Sequence, residues 1–208
     1  MLERITRRER SDLLIAWLAI SIAFSLIFIR GGVTVELFVI YLLVSMFTVG
    51  IGFILHEMAH KFTAMKYGFW AEFRKDNLML LVAVAMAALV GVVFAAPGAT
   101  VIYGTYISRE QNGKISAAGP AVNILLCIPF AFILFVSGMF PVSFLSRNLL
   151  ALVGMVGLQV NAMIAAFNML PVSVLDGKKV LAWNPAVFAV LIIAAFGILI
   201  ASFYPSFF

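Results

Sequence analysis

The residues best suited to chemistry form the segment His56-Glu57-Met58-Ala59-His60, which lies near the end of a long apolar run. In a helix, residues four apart lie on one face, so His56 and His60 can hold one metal ion between them. Glu57 lies about 100° round the same turn, close enough to reach a water molecule bound to that metal. The pattern predicts a metal site with a general base beside it.

The alternative is that two histidines and an acid at a helix end have no joint role. Two observations count against it. The chain has two histidines, and both belong to this segment. The surrounding sequence is as hydrophobic as a membrane span, where ionisable residues are costly and are functional candidates by default. We therefore favour the zinc metalloprotease pattern, in which the two histidines bind the ion.

The composition is that of an integral membrane protein. Of the 208 residues, 64% are hydrophobic and 11% are charged, against about 45–50% and about 25% in soluble domains. The length allows one membrane domain, residues 1–208, without an appended soluble domain. The net charge of +5 does not indicate a nucleic-acid partner, because the basic residues cluster in short loops, as membrane topology requires.

Hydrophobic runs predict an all-α, multi-pass protein with about six transmembrane helices. An extended segment over residues 99–107, rich in Thr, Val, Ile and Tyr, lies between the third and fourth helices. The residues before the third helix form a polar connecting segment, and residues 109–114 form a polar turn. The six predicted helices cover residues 13–29, 37–66, 78–96, 115–138, 148–167 and 184–204.

A catalytic zinc site needs a third protein ligand, and Asp176 is the best candidate. It is the only acid after the histidines that follows directly on an apolar helix, and Pro171 and Gly177 bracket it. This suggests unwound backbone at membrane depth, which is tolerated where it is buried in protein or lines a cavity. Asp176-Gly177 taken alone is more often a turn, and Cys127 is a weaker ligand candidate that suits the core better. The other acids considered occupy loop positions: Glu36, Glu72, Asp76 and Glu110.

Three segments together resemble the site-2 protease family of intramembrane zinc metalloproteases. They are His56-Glu57-Met58-Ala59-His60, Ala118-Gly119-Pro120 with Asn123, and Asn168-Met169-Leu170-Pro171 followed by Leu175-Asp176-Gly177. The resemblance implies that His56, His60 and Asp176 bind one zinc ion and that Glu57 is catalytic. It further implies that Asn168 contacts the substrate or supports the site. The chain departs from the family at Ser173 and Val174, where the family often has further prolines.

Topology gives an independent test of this site. Helices two and five carry their motifs toward their C-terminal ends, so they must run parallel to share one ion. Residues 97–107 can return the chain across the membrane, since eleven extended residues reach roughly 36 Å. With that return and a cytoplasmic N-terminus, the zinc lies nearer the cytoplasmic face and the C-terminus lies outside. Lys61 and Lys66 are expected to snorkel to the interface. The outer face then has two basic residues, Arg30 and Arg147.

Polar residues inside helices four and five have two interpretations. Asn123, Gln159 and Asn161 are interpreted as interhelical hydrogen-bonding residues, worth about 0.6 kcal/mol each. Asn168 shares a helical face with Asn161, and the resemblance alone favours a site role for it.

The function expected is hydrolysis of a peptide bond in a transmembrane substrate, in a multi-pass protein of a prokaryotic plasma membrane surrounded by lipid. Residues 101–107 could pair with an unwound substrate segment by β-augmentation. One rival is a metal transporter, which needs ligands spread along a path across the membrane. A second rival is a catalytically inactive, substrate-binding relative.

Overall fold

The computed structural model of the protein describes residues 5–29, 34–91, 98–104, 106–139 and 144–204, with backbone alone for 144–148. Within these ranges, helices surround a small antiparallel sheet. In chain order the elements are α1 (Arg7–Phe28), α2 (Val35–Lys66), β1 (Trp70–Lys75), α3 (Asn77–Leu89), β2 (Gly98–Tyr103), α4 (Arg109–Met139), α5 (Phe144–Asn168), α6 (Asp176–Trp183) and α7 (Pro185–Ser202).

Five of the described helices are long and apolar enough to cross a membrane: α1, α2, α4, most of α5, and α7. The helical, multi-pass class is as predicted, but the count of six is not confirmed. The predicted third helix, 78–96, is α3, which ends at Leu89. At thirteen residues it is about 20 Å long, short of the roughly 30 Å hydrocarbon core.

A glycine explains why α3 ends early. Gly91 has φ 86°, a left-handed conformation that suits glycine. Its N–H donates to the carbonyls of Met86 and Ala87 at 3.0 and 3.1 Å. This is the usual glycine cap of a helix C-terminus, and an apolar run hides it from a hydropathy reading. Residues 92–96 of the predicted helix lie outside the described residues.

The predicted extended segment, residues 99–107, is only partly a strand: β2 ends at Tyr103, and residues 104, 106 and 107 lie outside it. It pairs with a strand that the sequence did not reveal. Residues 70–75 form β1, antiparallel to β2, where a polar connecting segment was predicted. Glu72 and Arg74 made this stretch look like a loop. They share one face of the strand and bond each other, while Ala71 and Phe73 on the other face are buried.

The sheet also shows where the chain returns. Gly98 is paired with Lys75, so by Gly98 the chain is back beside the beginning of α3. The return predicted for residues 97–107 is therefore complete before β2 begins. After β2, one long helix, α4, precedes α5. Both lead into the site at their C-terminal ends, so they run parallel, as the topology test required.

A buried ion pair fixes α1 against α2 and β1, and it corrects the prediction for Lys61. The ammonium group does not snorkel: both Lys61 and Glu9 are fully buried, and Lys61 Nζ lies 2.5 Å from Glu9 Oε2. The other carboxylate oxygen, Glu9 Oε1, accepts from the Phe73 backbone N–H at 3.0 Å. Helix α1 begins at Arg7, six residues earlier than predicted, and this extension carries Glu9. Lys66 is exposed, in line with its prediction.

Helix α4 also begins earlier than predicted, at Arg109, so the polar turn 109–114 is helical. The Ser108 hydroxyl accepts from Gln111 N–H at 3.1 Å, and the Gln111 side chain accepts from Ser108 N–H at 3.0 Å. This reciprocal pair is a capping box. The extension adds a turn and a half to α4 before the residues that face the site.

Candidate metal centre

The two histidines occupy one face of α2, one turn apart, as the spacing predicted. Both are buried, at 2% and 6% exposure for His56 and His60. Their rings meet edge to face with centroids 4.6 Å apart. The Nε2 atoms lie 3.0 Å from each other. Two potential ligand atoms therefore converge on one point inside the helix bundle.

The aspartate arrives from the break between α5 and α6. Helix α5 ends at Asn168 and α6 begins at Asp176, and the intervening residues are not helical, as the flanking Pro171 and Gly177 suggested. Glycine is required after the aspartate, because a Cβ at Gly177 would lie 2.1 Å from the Met169 carbonyl oxygen. Ser173 has φ 50°, which proline cannot adopt, so the departure from the family pattern at Ser173 fits this loop.

The three ligand atoms lie 3.0–3.5 Å from one another, close to the spacing expected of a tetrahedral metal site. Asp176 Oδ2 lies 3.1 Å from His60 Nε2 and 3.5 Å from His56 Nε2. Zinc bonds of 2.0–2.2 Å in a tetrahedron place ligand atoms about 3.3–3.6 Å apart. Among the described residues, these three form the group of His, Cys, Asp and Glu side chains able to hold a metal ion. The residues thus fit a zinc ion with one coordination position left open.

Asp176 is buried, at 8% exposure, and its Oδ2 atom faces both histidines. Cys127 takes no part in this group. It is buried on α4, and its thiol lies 3.3 Å from the Asn123 carbonyl oxygen, consistent with the core role preferred for it.

Each histidine has a partner on its second ring nitrogen, and α4 supplies both partners. His60 Nδ1 lies 2.8 Å from the Ile115 carbonyl oxygen, and His56 Nδ1 lies 2.5 Å from Asn123 Oδ1. Acceptors at Nδ1 make that nitrogen the N–H donor and leave the Nε2 lone pair for a metal. Asn123 was interpreted as an interhelical hydrogen-bonding residue, so its contact with His56 was missed. The signal was present, since Asn123 belongs to one of the three family segments.

Glu57 faces a cavity beside the ligands. It is 7% exposed, and Thr100 of β2 donates to it. The Thr100 hydroxyl lies 2.8 Å from Glu57 Oε2 and 3.3 Å from the Glu57 backbone oxygen. One carboxylate oxygen is thus held by the sheet, and the other is left for a water molecule. Sequence reasoning did not single out Thr100, although it predicted the strand that carries it.

The cavity has a volume of about 430 Å³ and brings the remaining candidate to the site. Asn168 lines it, with its side-chain N–H donating to the Ile164 carbonyl oxygen at 3.0 Å. The first residues of β2, from Gly98 to Val101, also line it. In the described part of the chain β2 pairs only with β1, so its second edge has no strand partner. Three cationic side chains also contribute to the lining: Arg74, Lys75 and Lys179.

A comparison with known proteins finds a relative of this chain. The chain is 38% identical over 188 residues to a protein of Methanocaldococcus jannaschii named "Putative zinc metalloprotease MJ0611", covering 90% of this chain and 91% of that protein. No family model matches the chain, and no solved structure matches it. At this identity and coverage, the chain belongs to the family of that M. jannaschii protein, whose name is that of a zinc metalloprotease.

Proposed function

We propose that the protein is an intramembrane zinc metalloprotease of the site-2 type, which hydrolyses a peptide bond within or near the transmembrane segment of a membrane-protein substrate. The observation that carries the proposal is the convergence of His56, His60 and Asp176 on one point with Glu57 beside it. The name of the relative and the five apolar helices support the same proposal.

Each residue of the site has a separate role in the reaction. His56 Nε2, His60 Nε2 and Asp176 Oδ2 would hold the ion, which when bound polarises a carbonyl group and acidifies water. Glu57 accepts the proton of the attacking water and passes it to the leaving amine. Thr100 keeps one oxygen of Glu57 engaged, so the same carboxylate oxygen faces the water in each turnover.

Substrate binding is assigned to β2 and Asn168, which both line the cavity. A helical substrate conceals its peptide bonds, so a segment of it has to unwind. The unpaired edge of β2 can add that segment as a further strand, and this edge begins beside Thr100, next to the base. Asn168 also lines the cavity, and its side-chain oxygen can accept a substrate N–H. The segment thus lies between the strand and the ligands.

Basic residues suggest which side of the membrane supplies the water. Lys75 and Lys179 line the cavity, and Arg7, Arg8 and Arg10 begin α1. Lys and Arg accumulate on the cytoplasmic side of membrane proteins. We therefore propose a cytoplasmic N-terminus and a cavity that opens to the cytoplasm, in the plasma membrane of a prokaryote.

The deciding experiment compares two carboxylates of one helix. Wild-type protein, Glu57→Gln and Glu36→Gln are purified in detergent, analysed for zinc and incubated with a single-span test substrate. Glu36 is exposed in the first turn of α2 and serves as the matched control. We expect one zinc per chain in all three proteins. Cleavage should fall at least about 10²–10⁴-fold in Glu57→Gln alone, the usual contribution of a general base.

Other outcomes would favour the rival functions. A transporter does not need a base beside the metal, so Glu57→Gln would continue to move zinc into vesicles. An inactive relative would bind zinc and the substrate without cleaving it. Equal cleavage by wild type and Glu57→Gln would refute the mechanism given above.

A further inference from the structure

Two buried asparagines connect the metal centre to the far side of the helix bundle. Asn123 on α4 and Asn161 on α5 are both fully buried. Asn123 Nδ2 donates to Asn161 Oδ1 at 2.9 Å, and Asn123 Oδ1 lies 2.5 Å from His56 Nδ1. The pair therefore forms a chain of hydrogen bonds that ends on a metal-binding histidine.

The orientation of the first amide is determined by its own helix. Asn161 Nδ2 donates to the Gly157 carbonyl oxygen one turn earlier, at 2.8 Å. A carbonyl can only accept, so the NH₂ group of Asn161 must face Gly157 and its oxygen must face Asn123. A reversed Asn161 amide would place two oxygens in contact.

The orientation of the second amide follows from the first. The NH₂ group of Asn123 has two acceptors, Asn161 Oδ1 and the Gly52 carbonyl oxygen at 3.1 Å. Its oxygen is therefore directed at His56 Nδ1, which must carry the proton. If the Asn123 amide reversed, its NH₂ group would face His56, and the ring would have to carry its proton on Nε2. That tautomer has its lone pair on Nδ1 and none on Nε2, the nitrogen that faces His60 and Asp176.

We propose that Asn161 is a positioning residue that selects the metal-binding tautomer of His56 through Asn123. The inference rests on the proposed zinc site. It assigns no such dependence to His60, whose Nδ1 is satisfied by a backbone carbonyl of α4. The two histidines are therefore distinguishable: a change at Asn161 alters His56 and leaves His60 unchanged.

The first test removes the amide and keeps the branched shape and the number of side-chain heavy atoms. Asn161→Leu is compared with Gln159→Leu, a matched control on the same helix, whose side-chain N–H lies 3.4 Å from the Ser202 carbonyl oxygen, away from His56. Zinc affinity is measured by chelator competition. Outer partners of metal-binding histidines are usually worth 10–100-fold in affinity. We expect a loss of about that size in Asn161→Leu and wild-type affinity in Gln159→Leu.

A second readout separates tautomer selection from general loosening. The chain has two histidines, so ¹⁵N labelling of histidine gives a spectrum that contains only these two rings, provided that the affinity tag lacks histidine. The ring signals of His56 should shift in Asn161→Leu while those of His60 keep their wild-type positions. Equal shifts in both rings would show a structural effect and overturn the proposal.

A variant on another helix keeps the proposal testable if Asn161→Leu does not fold. A Cβ at Gly52 on α2 would lie 2.7 Å from Asn161 Oδ1, so Gly52→Ala displaces this oxygen without deleting any polar group. Gly138→Ala is the control, since nothing lies within 4 Å of its Cβ. The same loss of zinc and the same shift confined to His56 are expected for Gly52→Ala.

The outcomes distinguish this inference from the proposed function. If the wild-type protein binds no zinc, the proposed function fails. If the wild type binds zinc and both Asn161→Leu and Gly52→Ala bind it equally well, the inference alone is wrong. A double variant, Asn123→Ala with Asn161→Leu, should bind zinc no more weakly than Asn123→Ala, because Asn161 acts through Asn123. Additive losses would contradict that route.

Discussion

Helices α4 and α2 approach each other closely at Gly119, and one methyl group there should strongly weaken metal binding. Helix α4 crosses α2 at this glycine, directly over the histidine rings. A Cβ at Gly119 would lie 2.3 Å from His60 Nε2 and 2.7 Å from His56 Cε1. It would therefore occupy space beside the atoms that are proposed to bind zinc.

The required displacement follows from these distances. Ordinary carbon contacts begin at 3.4 Å, so the gap to the 2.3 Å contact is about 1.1 Å. Metal–ligand bonds tolerate changes of about 0.2 Å, roughly a fifth of that displacement. If α4 moves instead, it withdraws the Ile115 and Asn123 acceptors from both histidines. Either response should weaken zinc binding by about 100-fold or more, beyond the usual effect of losing one outer partner.

The assay pairs Gly119→Ala with Gly138→Ala on the same helix. Alanine favours a helix over glycine by about 0.5–1 kcal/mol, and no atom lies within 4 Å of a Cβ at Gly138. The control should keep zinc and gain slightly in stability. Gly119→Ala should gain the same helix propensity, but overpacking should lower its free energy of unfolding by about 1–3 kcal/mol. Zinc content, chelator competition and thermal unfolding in detergent measure the three quantities.

One result would refute this reasoning. If Gly119→Ala purifies with one zinc per chain and wild-type affinity, then α4 does not press on the histidines as described. The positions of Ile115 and Asn123 as their partners would then also be wrong.

Three further changes test other contacts. Asp176→Asn should lower zinc affinity by about 100-fold or more while membrane insertion persists, which metal analysis of the purified protein measures; unchanged zinc would identify the wrong third ligand. Thr100→Val should lower kcat by up to about 10²-fold, because the base Glu57 loses the hydrogen bond that positions it. KM should stay unchanged, and Thr100→Ser should restore activity. A wild-type kcat in the valine variant would remove Thr100 from the mechanism. Lys61→Met should lower the free energy of unfolding by about 3–5 kcal/mol, because it leaves Glu9 charged and buried without its partner. Denaturant unfolding in detergent measures this change. A loss below about 1 kcal/mol would contradict the buried ion pair.

Local patterns were sufficient to predict the features that depend on one helix. The shared face of His56 and His60 follows from the period of the α-helix, and the long helices follow from apolar runs. The extended segment predicted over residues 99–107 followed from β-branched and aromatic residues, and residues 98–103 form the strand. These features need no knowledge of a distant neighbour, so a single sequence reveals them.

Features that depend on a distant neighbour were missed or wrongly interpreted. Lys61 looked like a residue that reaches for the interface, because its partner Glu9 lies 52 positions earlier, before the start of the first predicted helix. Strand β1 looked like a loop, because its charges are satisfied by pairing within the fold. In both cases the polar group is stabilised by tertiary contacts that hydropathy cannot register. Asp176 was selected as the third-ligand candidate because the H-E-x-x-H segment needs another ligand and an apolar helix breaks before it, and the family resemblance implied the same role.

Helix α4 shows how the second half of the site could have been predicted. Ile115, Gly119 and Asn123 are spaced four apart, so they form one stripe along α4. The stripe contacts the histidine pair of α2, also spaced by four, in antiparallel order: Ile115 bonds His60, Gly119 lies over both rings, and Asn123 bonds His56. Two such rings need three features from a helix that packs against them: a backbone acceptor, a residue without a side chain and an amide acceptor. A glycine four residues before an asparagine, on an apolar helix downstream of the H-E-x-x-H segment, is therefore a physical signal for the helix that orients the ligands.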